Sequence, residues 1–385
     1  MDRRTVGVAA AGFLTFINLY TPQALLPVLA GAFGATVAHA GLTITAPLIA
    51  VALVAPAVGG ISDAFGRRWI ILAASFGLVI PTALAALAPS LGLLVLFRFC
   101  QGLLLPFVFT ITVAYIADEC PGPEGVRATG WYATGTIVGG FAGRFIAGWI
   151  TQFYGWRAGF GAVAALTLAV AALVAVLLPR ERRFRPSGSW RGTLAGFGQH
   201  LRNKQVMATC AVGFAVLFSI VAAFTYANVL LAAPPFGLGP AQLGSVFVVY
   251  LLGAVATPPA SRLIIRIGRR RTALIAGGLA CAGLLLTLLP SLWMIVLGLG
   301  MIALGVLTEQ TVSIGYVALA GERSRSAAVG LYVSCYYAGG SLGGIGPAGI
   351  WSHAGWPGCV ALVILVQMAA IGIAWLVWPR SPLAR

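Results

Sequence analysis

Gly130 to Trp156 reads GWYATGTIVGGFAGRFIAGWITQFYGW, and Gly330 to Trp356 reads GLYVSCYYAGGSLGGIGPAGIWSHAGW; the two superimpose at a constant offset of 200 residues without a gap. Gly130, Tyr132, Gly139, Gly140, Gly143, Ile150, Gly155 and Trp156 each meet their own kind. A second match lies upstream, where Gly66-Arg67-Arg68 is repeated as Gly268-Arg269-Arg270 at an offset of 202. Both correspondences run in the same chain direction, so the halves are parallel repeats. Parallel repeats related by an axis along the membrane normal are a known plan for carriers that bind solute near the midplane.

Composition sets the solvent. Sixty per cent of the 385 residues are hydrophobic and 8% charged, with a mean hydropathy of +0.97, whereas soluble domains carry about 25% charged residues. A crossing consumes about 20 apolar residues, so the chain has room for a dozen. The expected spans are 6–30, 40–62, 69–88, 92–117, 127–151 and 157–178, then 205–231, 241–264, 272–290, 292–319, 326–352 and 357–378. The fold class this predicts is an all-α integral membrane protein of 12 transmembrane helices in two pseudo-symmetric six-helix bundles. Its domains are an N-terminal bundle over 1–178, a cytoplasmic linker over 179–204 and a C-terminal bundle over 205–385.

The net charge of +16 invites a nucleic-acid reading, and the placement of the cations opposes it. They fall at Arg3, Arg4, Arg67, Arg68, Arg127, between Arg180 and Lys204, at Arg262, Arg266, Arg269 to Arg271, Arg323 and Arg325, and at the C-terminus. These are the termini and alternate loops. Only Arg157 lies on the other side, and Arg98 and Arg144 lie inside spans. That is the positive-inside pattern, which puts both termini and the central linker in the cytoplasm. The expected location is the inner (plasma) membrane of a bacterium. The run behind Arg3 and Arg4 is read as a retained first helix rather than a signal peptide, since it carries Asn18, Gln23 and Pro27 and leads into a second span. The six cysteines stand singly without CxxC or ligand spacing, and neither metal nor cofactor is expected.

Catalytic constellations are missing: His39, His200 and His353 are scattered, and there is no nucleophile elbow or carboxylate pair. No enzyme activity is expected. The sequence lacks GxxxxGK[ST], which excludes an ATP-driven pump on this chain.

Three stretches carry a family likeness. The loop Gly59-Gly60-Ile61-Ser62-Asp63-Ala64-Phe65-Gly66-Arg67-Arg68 has a glycine, a spaced acid, a glycine and two cations. Its second-half copy has Ile265 in place of the acid, ahead of Gly268, Arg269 and Arg270. Span four has Arg98-Phe99-Cys100-Gln101-Gly102, whose i, i+3 spacing puts Arg98 and Gln101 on one face. Span five has Gly135-Thr136-Ile137-Val138-Gly139-Gly140-Phe141-Ala142-Gly143-Arg144. With these the chain resembles the major facilitator superfamily over essentially its whole length, and span five looks like the glycine signature of drug:proton antiporters. It departs from that signature at Gly140, where those exporters usually have Pro, and at Arg144, where they have Gly. Together with Leu19-Tyr20-Thr21-Pro22-Gln23, the variant is similar to a branch of bacterial efflux permeases.

The resemblance implies a gating motif at Gly59, Asp63, Gly66, Arg67, Arg68, Gly268, Arg269 and Arg270. It also implies a part for Arg98 in proton coupling or in holding the outer side of the cavity. Arg98 inside a span must face the protein or a wet cavity, or snorkel to headgroups. Gly135, Gly139, Gly140 and Gly143, with Gly339 and Gly343, are small-residue faces for helix packing across the interface. Glu309 is the acid deepest in a span. It is read either as a coupling residue, alongside Asp63 and Arg98, or as a neutral, hydrogen-bonded structural group. Candidates for the substrate cavity are Asn18, Gln23, Arg98, Gln101 and Arg144 from the first half and Phe214, Tyr226, Tyr332 and Tyr336 from the second.

The function expected is secondary active transport by alternating access, as proton-coupled efflux of a small amphipathic compound. The alternative is proton-coupled uptake of a small organic anion held by Arg98 and Arg144. The expected partners are a small-molecule substrate, protons and the lipid bilayer, without nucleic acid, and the chain is expected to act as a monomer.

Overall fold

The computed structural model describes residues 2–181, 198–321 and 325–379, apart from the side chains at 59–60, 62–65, 254, 256–259, 261 and 325–326. Among the described residues every regular element is helical. The first half comprises α1 (Arg3–Leu19), α2 (Leu26–Ala32), α3 (Val37–Phe65), α4 (Arg67–Ala86), α5 (Leu91–Glu119) and α6 (Pro123–Leu177). The second comprises α7 (Lys204–Ala232), α8 (Pro240–Val246), α9 (Leu252–Ile267), α10 (Arg269–Leu286), α11 (Leu292–Ala320), α12 (Arg325–Ile345) and α13 (Pro347–Val377). Seven helical stretches among the described residues are long and apolar enough to cross a bilayer in one piece. The others are interrupted or carry more polar residues.

The interruptions have local causes. Span one, expected as one helix over 6–30, stops at Leu19, passes through a 3-10 turn over Thr21–Ala24 and resumes at Leu26. Pro22 has no N–H to give the carbonyl of Asn18, and the Gln23 N–H turns to Tyr20 O at 3.0 Å. Span eight is likewise split into α8, a 3-10 turn over Phe247–Leu251 and α9. Span eleven, expected to run unbroken over 326–352, ends at Ile345, and Pro347 opens the next helix. Its repeat partner passes Ile146-Ala147 without a break, because only the second copy has Gly346-Pro347.

The sequence repeat is also a backbone repeat. Within α6, spans five and six are two helices that meet at a kink at Gly155 (φ 83°), and Gly355 (φ 57°) makes the same kind of junction in α13. Gly66 (φ 88°, ψ 152°) and Gly268 (φ 82°, ψ 160°) make matching turns between helices. Left-handed φ at these points is a conformation that glycine adopts without steric cost.

The chain divides into two compact units, one of Met1–Trp190 with Leu238–Phe247 and one of Arg191–Gly237 with Val248–Arg385. Leu238–Phe247 belongs to the second repeat in sequence yet packs in the first unit, on the far half of span five. A methyl added to Gly244 would sit 2.6 Å from Arg144 O, and Trp149 Nε1 donates to Ser245 Oγ at 3.1 Å. Most of the expected linker, residues 182–197, lies outside the described residues.

The expected glycine faces pack against helices of their own unit. A Cβ on Gly139 would lie 2.8 Å from Phe13 Cα, and Gly135 and Gly143 press likewise on Ala9 and Ile17, so α6 lies directly on the backbone of α1. In the second unit Gly339 and Gly343 meet Phe214 and Phe218 of α7 in the same way. Gly140 differs, since a Cβ there would have only ordinary contacts, 3.6 Å from Arg144 Nη1.

Candidate functional site

The break in α1 explains one of the fully buried charges of the first unit, Arg98. Loss of the Pro22 N–H and diversion of the Gln23 N–H free the carbonyls of Asn18 and Leu19, at the negative end of the helix dipole. Arg98 of α5 supplies both. Nη1 donates to Asn18 O at 2.7 Å, Nη2 to Leu19 O, and Nε to Thr43 O of α3 at 3.0 Å. Nη1 also donates to Gln101 Oε1, the i, i+3 neighbour. The guanidinium is fully buried, so snorkelling is ruled out, and its fork geometry suits convergent acceptors.

From Gln101 the network continues through neutral groups. Gln101 Nε2 donates to Thr82 Oγ1 of α4 at 2.7 Å, Thr82 Oγ1 donates to Asn18 Oδ1 at 2.9 Å, and Asn18 Nδ2 donates to Thr167 Oγ1 of α6 at 3.0 Å. Five helices are joined around one cation. Arg98, Gln101 and Asn18, expected to line a substrate cavity, are here brought together in a fully buried network. Thr82 and Thr167 were not singled out by the sequence, where a lone threonine in an apolar span carries little signal.

Arg144 forms a separate centre. Its guanidinium carbon lies 4.4 Å from the ring centroids of both Tyr20 and Phe247, with Nε donating to Gln23 Oε1 at 2.8 Å and Nη1 to Gly140 O at 2.7 Å. A desolvated cation between two rings is strongly held. Gln23 and Arg144 are therefore partners, and Gly140 serves as an acceptor. Phe247 is not singled out by the sequence, and Tyr20 enters there only within the stretch Leu19-Tyr20-Thr21-Pro22-Gln23.

In the second unit Glu309 of α11 is 1% exposed, and its Oε2 accepts from Gln367 Nε2 of α13 at 3.1 Å. Its other oxygen faces Gly277 of α10. No cation pairs with it among the described residues. Gln367 could have been flagged as the lone amide in an otherwise apolar twelfth span.

The aromatic candidates separate. The Tyr332 hydroxyl is hydrogen-bonded with Ser313 Oγ at 2.8 Å, and Tyr226 donates to Gly344 O at 3.2 Å; both are buried. Phe214 lines an apolar cavity of about 400 Å³ between α7, α12 and α13, and Tyr336 stacks on Tyr332 with centroids 6.0 Å apart.

The loop arginines brace each unit internally. Arg67 pairs with Asp118 at 3.0 Å, while Arg68 donates to Leu178 O and Ala175 O at 2.7 and 2.9 Å, capping the end of α6. In the second unit Arg269 lies 5.1 Å from the Tyr316 ring and Arg270 3.9 Å from the Trp375 ring. Gly59 and Asp63 lie in the last turns of α3, and the surroundings of their side chains are outside what is described.

A helical membrane chain of two parallel repeats, with charged groups buried inside each, has the architecture of a solute carrier. The chain belongs to the Major Facilitator Superfamily, whose sequence profile matches residues 8–234 and 214–385; it is a membrane transporter. It is 30% identical over 370 residues to the inner membrane transport protein YnfM of Escherichia coli K12, covering 96% of this chain and 89% of that one. It is 31% identical over 143 residues to the multi-drug resistance efflux pump PmrA of Streptococcus pneumoniae, which covers 37% of this chain and 35% of the pump. Among solved structures, a bacterial homolog of the human lysosomal transporter Spinster, inward-facing and unoccupied, superimposes with a TM-score of 0.75 at 17% identity, over 97% of this chain and 95% of that one.

Proposed function

We propose that the protein is a proton-coupled exporter of a small amphipathic compound, working by alternating access as a monomer in a bacterial inner membrane with both termini cytoplasmic. The observation that carries the reading is Glu309. A buried carboxyl with one neutral donor and no paired cation is a group that can take up and release a proton in the course of a cycle. Likeness to a multi-drug efflux pump over part of the chain supports export, and the alternating distribution of arginines supports the orientation. The gating role of Asp63 and its partner arginines belongs to the same proposal. Uptake of an organic anion by Arg98 and Arg144 has less support, because the donors of Arg98 go to protein oxygens and Arg144 is held between two rings.

The test is a growth and accumulation screen in an efflux-deficient bacterium against toxic amphiphiles and organic acids. Export predicts resistance to at least one amphiphile, lost with an uncoupler and in Glu309→Gln at equal expression. Accumulation of an organic acid, or new sensitivity to one, would instead establish uptake.

A further inference from the structure

The side chain of Gln367 is 1% exposed, and only half of its amide is bonded. Nε2 donates to Glu309 Oε2 at 3.1 Å, whereas Oε1 has no hydrogen-bond partner. An orphaned carbonyl oxygen in a buried site is costly and calls for an explanation. An ionised Glu309 cannot satisfy it, because a carboxylate only accepts. A protonated carboxyl has one O–H to donate while its second oxygen still accepts. Beside a primary amide such a group makes two antiparallel bonds, amide N–H to carboxyl oxygen and carboxyl O–H to amide oxygen. The first of these is already in place.

The second needs only rotation about the terminal torsions of the two side chains, which are broad and soft. Glycine on α10 is what lets the carboxyl sit there: a Cβ on Gly277 would lie 2.5 Å from Glu309 Oε1 and closer still to Ile371 Cδ1, so any larger residue would crowd the acid. Among the described residues the titratable groups in electrostatic reach of the carboxyl are Cys281 of α10 and Tyr332 of α12, neither of them a cation. Matched along helices of equal length, α5 and α11, Glu309 corresponds to Val108, and offsets of 200 and 202 match Gln367 to Thr167 and Gly277 to Ser75, so the arrangement belongs to the second repeat alone.

We propose that Glu309 and Gln367 form an acid–amide proton site, with the proton carried on Glu309, Gln367 accepting from it as the positioning residue, and Gly277 leaving the space. This rests on the reading of Glu309 as the coupling carboxyl. Binding adds one proton to a carboxylate oxygen and creates the O–H that Gln367 Oε1 lacks; release returns the carboxylate and orphans that oxygen again.

The full chain in lipid nanodiscs, titrated with acid and followed by infrared difference spectroscopy, tests the site without knowledge of the substrate. A protonated-carboxyl band is expected at a hydrogen-bonded frequency, and it should vanish in Glu309→Gln. In Gln367→Leu it should move up to the frequency of an unbonded acid, and the exchanged pair Glu309→Gln with Gln367→Glu should restore the bonded band. A band left at its wild-type frequency in Gln367→Leu would overturn the dyad while leaving Glu309 as the carrier. If Glu309→Gln removes no band at any pH, the coupling reading falls and the dyad with it. Should Gln367→Leu fail to fold, the exchanged pair decides: a bonded band supports the site, and its absence overturns it.

Discussion

The first unit buries a cation among neutral acceptors, and the second buries a carboxyl beside a single amide. Both lie on equivalent helices, α4, α5 and α6 in one case and α10, α11 and α13 in the other. Arg98 is needed because Pro22 breaks α1 and leaves carbonyls at the helix end, and its donors are taken by the fold. Glu309 has one donor and faces a glycine, so the fold does not fix its proton. A related contrast appears at the membrane edge, where Arg67 has an ion pair but Arg269 lies over an aromatic ring. The lesson is that one duplicated skeleton surrounds its buried charge with many partners in one half and with a single amide donor in the other.

The comparison can be broken most severely at Arg98. Arg98→Leu strands three backbone carbonyls and one amide oxygen, at about 1–3 kcal/mol each. We expect loss of folded protein, or the largest drop in unfolding temperature of any variant here, read by a thiol-reactive dye on the buried Cys120, Cys210 and Cys359. Arg98→Lys should recover only part, since an ammonium lacks the fork. Unchanged stability in Arg98→Leu would mean that the cation is not structural.

Glycine substitutions sharpen the equivalence of the halves. Gly139→Leu and Gly339→Leu each force a side chain into the backbone of the facing helix, and overpacking of this kind costs about 1–3 kcal/mol. Equal losses in the same dye assay are expected. A loss confined to one variant would show that the two helix pairs are not energetically equivalent.

The smallest effect belongs to the edge. Asp118→Asn removes a partly exposed ion pair, for about 0.5–1 kcal/mol that disappears at high salt. A larger, salt-insensitive loss would mark that loop as a structural lock rather than a weak brace.

Much of this was legible in sequence. The glycine repeat shows the parallel halves, the i, i+3 spacing puts Arg98 and Gln101 on one face, and isolation among apolar residues singles out Glu309. The acceptors of Arg98 were harder to see, because they are backbone carbonyls released by a proline four residues downstream. The pairing of Glu309 with Gln367 depends on which helices pack together, and spacing along one span does not report that. The break at Gly346-Pro347 is signalled by its dipeptide, but proline inside a membrane span is also compatible with an unbroken helix, so the residues alone do not place it. Arg144 stood out as a buried cation, but its two rings come from the broken parts of spans one and eight, whose interruption the hydropathy pattern conceals.

The most direct measurement uses inverted membrane vesicles carrying a respiration-driven proton gradient, reported by a quenched pH dye. A compound to which the wild type confers resistance is added, and the recovery of fluorescence is compared between wild type and Glu309→Gln at equal expression. Proton-coupled export through Glu309 predicts recovery with the wild type and none with the variant. Equal recovery in both would contradict it.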